Sequence, residues 1–147
     1  MQYLAVPVSV LVLLLGLLPT VGATPPAGPV TIVTTISFAA FPFSGTFTVT
    51  AGGALLGCSL GEFVDFPFAP APSAIRKVFD CLAGGVGTFT FIFKPGPVPG
   101  PGDANGHWEV FESTGDFATL RGQGAFSVVF TSATTGVETL TGKVHFD

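Results

Sequence analysis

Beyond residue 30 the chain alternates apolar and hydroxyl side chains in short runs, and glycine or proline breaks each run after a few residues. Thr46, Thr48 and Thr50 interleave with Phe47 and Val49, and Phe89, Phe91 and Phe93 interleave with Thr90 and Ile92. A period of two places successive side chains on opposite faces of an extended chain, so each run codes for a strand with one apolar face. No comparable stretch keeps the three-to-four spacing of an amphipathic helix. The pattern predicts an all-β domain with eight strands, near residues 30–39, 46–51, 61–66, 74–82, 87–93, 107–112, 125–131 and 137–146.

The breaks set the topology. Gly52-Gly53 and Gly84-Gly85 mark tight turns, and Pro67, Pro70 and Pro72 mark a loop, because proline cannot donate to a strand ladder. Residues 95–102 alternate proline and glycine almost throughout and read as a stiff, unpacked connection. Residues 113–124, rich in glycine, read as a structured turn region. Connections this short join antiparallel neighbours, since parallel pairs need long crossovers. Eight such strands close into an antiparallel up-and-down barrel, which leaves no exposed edge; a two-sheet sandwich is the alternative.

The first 23 residues stand apart. Positions 4–18 are apolar except for Ser9, too short a run to span a bilayer, and Val21-Gly22-Ala23 offers the small residues a signal peptidase requires. Cleavage after Ala23 leaves an exposed proline-rich start at residues 24–29 and a single domain at 30–147, secreted and free of the membrane. The leader carries no Lys or Arg ahead of its apolar run, so an uncleaved membrane anchor is the competing reading.

Cys58 and Cys81 are the only cysteines, and an exported pair implies one disulfide. The midpoint of the pair falls in the proline loop between the third and fourth strands. Both cysteines then lie at one end of an antiparallel hairpin, as a bridge requires. Two thiols alone are too few for a structural zinc site.

The segment Gly106-His107-Trp108-Glu109-Val110, followed by Ser113-Thr114-Gly115-Asp116-Phe117-Ala118-Thr119-Leu120-Arg121-Gly122-Gln123-Gly124, resembles small secreted bacterial proteins of unknown function with an allene-oxide-cyclase-type barrel. Residues 79–90 resemble another part of the same proteins, although Leu82-Ala83-Gly84-Gly85-Val86-Gly87 lacks the aspartate of their turn. Plant dirigent proteins carry a similar arrangement. The resemblance covers roughly residues 58–146, implies an eight-stranded barrel and says little about activity. On physical grounds Gly115, Gly122 and Gly124 suit positive φ or close backbone approach at a barrel rim, and Phe117 and Leu120 suit a plug for the barrel end. Arg121 suits bonds to turn carbonyls, and Trp108 and Val110 share a face that points inward.

Several chemistries are disfavoured. Nine acidic and five basic residues give a net charge of −4, without the clustered cations that phosphate backbones require, so no nucleic-acid partner is expected. No phosphate loop or dinucleotide fingerprint occurs, and no cofactor is expected. Glu109 and Glu112 fall on opposite faces of one strand and Asp116 on a turn, so none of these makes a carboxylate pair. No Gly-x-Ser-x-Gly elbow is present, and neither His107 nor His145 has an evident partner for nucleophilic catalysis. His107 and Glu109 share a face of one strand but form only a two-ligand fragment, incomplete for most metals, with His145 on another strand. No catalytic or metal-ligating residue is assigned.

The aromatic load has the clearest functional leaning. Val128-Val129-Phe130 and Phe91-Ile92-Phe93 are apolar on both faces; one face fills a barrel and the other needs cover. That cover comes from the chain's own loops, from a hydrophobic partner, or from a second copy in a homo-oligomer, as trimeric relatives of this barrel type imply. The sequence therefore reads as a non-catalytic module that binds a small apolar ligand or serves a structural role. The alternative is a cyclase-like isomerase acting in an apolar barrel pocket.

Overall fold

A computed structural model describes residues 27–52, 55, 57–71, 73–96 and 103–147. The export segment and its cleavage site lie outside the described residues. Eight strands follow one another: β1 (Gly28–Ser37), β2 (Ser44–Gly52), β3 (Cys58–Pro67), β4 (Ile75–Gly84), β5 (Thr88–Pro95), β6 (Asp103–Ser113), β7 (Leu120–Phe130) and β8 (Thr135–Phe146). Each pairs antiparallel with the next, and β8 pairs back onto β1, so the sheet closes into a barrel. The sandwich alternative is thereby excluded.

Several strand boundaries differ from the sequence expectation; β6, for one, begins at Asp103 rather than near residue 107. Gly28 and Pro29 already belong to β1, opposite Val144 and Lys143. The turn region of residues 113–124 shrinks to residues 114–119 around a short 3-10 turn at Gly115–Phe117, and β7 begins at Leu120. Gly122 and Gly124 sit inside β7 rather than at a rim, and neither has positive φ, which among the described residues is found at Gly84, Gly87 and Gly115. Their role is room. A Cβ on Gly124 or on Gly142 of β8 would come within 2.6 or 2.5 Å of the Trp108 ring. The bare backbone leaves a flat recess into which the indole fits, with Nε1 donating to the carbonyl of Ala125 at 3.0 Å. Phe91 stacks on the other side of the indole at 4.5 Å.

The inward face of the sheet is largely aromatic. Phe47, Phe63, Phe79, Phe89 and Phe91 are almost wholly buried, with Phe79 and Phe89 stacked at 4.9 Å. One end of the barrel is closed by Leu55 from the β2–β3 connection and by Phe117 and Leu120, all buried. The loops there are laced together. The Asp116 amide donates to the Val86 carbonyl and the Val86 amide to Asp116 Oδ2, both at 2.8 Å. Gly115, at φ +59°, makes this close approach without strain. The Cys58–Cys81 disulfide, with Cα atoms 5.7 Å apart, joins β3 to β4 at the same end. A crosslink closing a loop of this length contributes roughly 3 kcal/mol in the chain-entropy account.

The second apolar face is covered in one place and bare in another. Ile92 points outward between Arg76 and Glu109, its cross-strand neighbours, yet is only 1% exposed. Nearby, Phe68 from the β3–β4 connection packs edge to face on Phe111 at 5.3 Å. Val129 and Phe130 stay exposed at the far end of β7. Phe130 lies 5.1 Å from Phe38, which meets Phe43 at 5.2 Å, and Phe43 meets the exposed Phe41 at the same spacing. These four rings form an aromatic collar at the end opposite the closed one, called the mouth below.

Candidate functional site: a charged cluster beneath the barrel mouth

The inward positions of three strands carry charge where the alternation calls for apolar residues. On β3, Asp65 follows Phe63 in phase; on β4, Lys77 precedes Phe79; on β8, Glu138 precedes Leu140. All six are buried. Asp65 and Lys77 face each other directly in the β3–β4 register, and Glu138 faces Thr34 in the β1–β8 register. Barrel closure brings the two pairs together. The long Lys77 side chain reaches across the lumen and donates from Nζ to Glu138 Oε2 at 2.6 Å. Thr34 donates to the same oxygen at 3.1 Å. Asp65 Oδ1 lies 3.4 Å from Lys77 Nζ, an ion-pair distance, but accepts no hydrogen bond. The ammonium also sits over the Phe63 ring at 4.0 Å, a cation–π contact with a desolvated ring.

These three charged residues line a cavity of about 130 Å³. The rest of its wall is apolar, with Phe38, Phe43, Phe93, Phe126 and Phe130 as the main rings and Ile36, Ile75 and Val128 between them. A larger concavity of about 510 Å³ on the outer wall involves Lys94, His107, Glu109, Gln123 and Lys143. It is a broad groove in the sheet surface whose Lys94 and Glu109 side chains are half exposed and already paired at 2.6 Å. Water competes fully there, so the more sheltered cavity at the mouth is the better candidate.

The electrostatics single out Asp65. Burial raises its pKa from 3.8 to about 6; Lys77 opposes the rise and the like charge of Glu138 adds to it. The folded state therefore binds a proton more readily than the unfolded chain. Stability from this group is fully present below about pH 4 and is lost as pH rises through 6, a swing of about 3 kcal/mol for two units. Urea titrations of wild type and Asp65→Asn across pH 3.5–7.5 check the sign. The stability difference, wild type minus variant, should fall steadily as pH rises, and a difference independent of pH would refute the assignment.

Such a cluster is poor economy as a stabilising device. Buried ion pairs are commonly matched or bettered by apolar residues of similar volume. Charge kept at a cavity wall with one perturbed carboxyl is the pattern of a functional site.

The residues singled out from sequence lie elsewhere. Trp108 is buried deeper in the lumen, with Val110 partly buried beside the core; Phe117 and Leu120 close the opposite end. Gly115 shapes the loop there, while Gly122 and Gly124 lie within β7. Arg121 is half exposed, donates to the Leu120 carbonyl at 2.9 Å and pairs with Asp147 at 3.1 Å. Glu109 pairs with Lys94, and His145 lies 3.3 Å from Asp147. None of these contributes to the cavity. The carboxylates considered from sequence were Glu109, Glu112 and Asp116; the two that converge are Asp65 and Glu138. Their signal was present as charge in phase with buried phenylalanine and leucine. Among the described residues no group of three His, Cys, Asp or Glu side chains is placed to hold a metal ion, and no helix is long and apolar enough to cross a membrane. No protein-family model matches the chain, and no curated protein matches it significantly.

Proposed function

We propose that the protein is an exported barrel that binds one small, mainly apolar molecule at its mouth and holds the molecule's polar group against Asp65, Lys77 and Glu138. The observation that carries this reading is the composition of the cavity wall: ten apolar residues and one compact charged cluster. An apolar enclosure supplies affinity through burial, and a few fixed polar groups supply orientation. The volume of about 130 Å³ suits a single ring; an engineered apolar cavity of about 150 Å³ in another protein accepts benzene. The disulfide and the apolar leader support export, since disulfides persist in oxidising compartments.

The test is an NMR titration of the purified exported protein with ring-sized apolar compounds. Shifts should concentrate on Phe43, Phe93 and Phe126. Ala104→Leu, which fills the cavity from β6, should abolish them and leave the closed end unaltered. Shifts confined to the outer groove, or no shifts at all, would overturn the proposal.

A second reading has its own support in Asp65. A carboxyl with pKa near 6 beside an apolar cavity can give up and take back a proton close to neutral pH. That favours a cyclase-like isomerase in which Asp65 protonates or deprotonates the bound molecule, in keeping with the resemblance to allene-oxide-cyclase-type barrels. A turnover whose rate follows one ionisation near pH 6 and vanishes in Asp65→Asn would select this reading over simple binding.

A further inference from the structure

The charge balance of the cavity identifies the kind of polar group that completes it. Three ionisable side chains line the wall: Lys77 from β4 brings one positive charge, and Asp65 from β3 and Glu138 from β8 bring two negative ones. Thr34 on β1 is neutral, and the flanking positions Phe43 just before β2, Phe93 on β5 and Phe126 on β7 are rings. When all three groups are ionised the cluster therefore carries one unmatched negative charge. That charge is located. Glu138 Oε2 is satisfied by Lys77 and Thr34, whereas Asp65 Oδ1 is buried and accepts no hydrogen bond. Asp65 as a residue is only 2% exposed, so water compensates little of it. A carboxylate in this position is missing a donor, and a cationic donor restores both the hydrogen bond and the charge. The rings around the cavity add a face for a cation to lie against, as Phe63 already does for Lys77.

We propose that the cavity is selective for small aromatic or alicyclic amines, bound as ammonium ions with the nitrogen at the Asp65 carboxylate and the ring among Phe38, Phe43, Phe93 and Phe126. The inference rests on the binding site proposed above and adds the class of ligand. A neutral alcohol offers the donor without the charge. A carboxylic acid adds a third negative charge to the cluster and is excluded.

Three ring-sized probes separate these terms: benzylamine, benzyl alcohol and toluene, titrated by calorimetry or NMR at pH 7.5 and pH 5. Benzylamine should bind wild type about tenfold or more tightly than benzyl alcohol at pH 7.5, equivalent to about 1.4 kcal/mol. The preference should shrink at pH 5, below the pKa of about 6, where Asp65 takes up a proton. Lys77 and Glu138 are the charged groups facing Asp65, and both remain in Asp65→Asn. That variant should lose the amine preference while toluene binding stays within about twofold, which shows that the cavity itself survives. If none of the probes binds, the site fails along with the inference. If toluene and benzyl alcohol bind and benzylamine gains nothing over them, the cavity stands and the amine assignment falls.

Discussion

Lys77→Met is expected to destabilise the barrel by about 3–5 kcal/mol, the usual cost of removing one member of a buried ion group. Lys77 is 1% exposed and is the sole cation facing Asp65 and Glu138 in the cavity wall. Its removal leaves two carboxylates facing each other across a water-poor lumen. Asp65, whose pKa burial already raises, relieves the strain by taking up a proton, so the loss should be largest at neutral pH and smaller near pH 4. Methionine keeps most of the stem volume, which separates lost charge from lost packing. Replacing all three groups together, as Lys77→Met with Asp65→Asn and Glu138→Gln, should recover most of the stability. Denaturant unfolding of the single and triple variants checks both parts. A single variant within about 1 kcal/mol of wild type would show that the cluster is solvated and would remove the basis for treating it as a site. The expected outcome separates two roles: the lysine is indispensable once the carboxylates are present, yet the charged set as a whole is dispensable for folding. A set of that kind is retained for what it binds.

Phe79→Ala should cost about 3–5 kcal/mol, the range for emptying a large aromatic site in a rigid core. Phe79 is wholly buried at the middle of the lumen, with the rings of Phe47, Phe63, Phe89 and Phe91 between 4.9 and 6.0 Å away. Those neighbours belong to β2, β3 and β5, each tied to the barrel wall by its own ladder, so they cannot collapse into the vacated volume. Phe111→Ala is the control. Phe111 is about half exposed and meets one ring, Phe68. Its loss should stay near 1 kcal/mol or below, the scale of a surface aromatic pair. The midpoint of thermal or urea unfolding reads both. Equal losses would mean that the outer Phe68–Phe111 pair carries as much of the fold as the lumen does, contrary to the burial.

Both experiments probe the lumen, where sequence and structure part company. The alternation of Phe89, Phe91 and Phe93 with Thr90 and Ile92 is a local property of the chain, and a strand realises it wherever the strand ends up. The same is true of the disulfide, whose cysteines lie at one end of a single hairpin. Gly122 and Gly124 illustrate the opposite case. Read locally, glycine signals a turn; in the barrel the two lie in β7, where Gly124 adjoins a tryptophan arriving from β6. Trp108 and Gly124 are register partners, a relation that no short window of sequence expresses.

The candidate site was hidden for a related reason. Asp65, Lys77 and Glu138 each occupy an inward position of their own strand, and each could have been noticed as charge in phase with apolar neighbours. Nothing local says that they meet. Lys77 and Glu138 are separated by 61 positions and come together only because β8 closes onto β1. By itself the sequence determined the strand pattern, the number of strands, the antiparallel order and the pairing of the cysteines, because these follow from periodicity and short connections; closure into a barrel rather than a sandwich was decided by the tertiary structure. Tertiary structure alone decided which charges share the lumen, which glycines make room for an indole, and which end of the barrel holds a cavity. Those depend on shear and closure, which bring distant residues within a few ångströms and remove the water that would otherwise screen them.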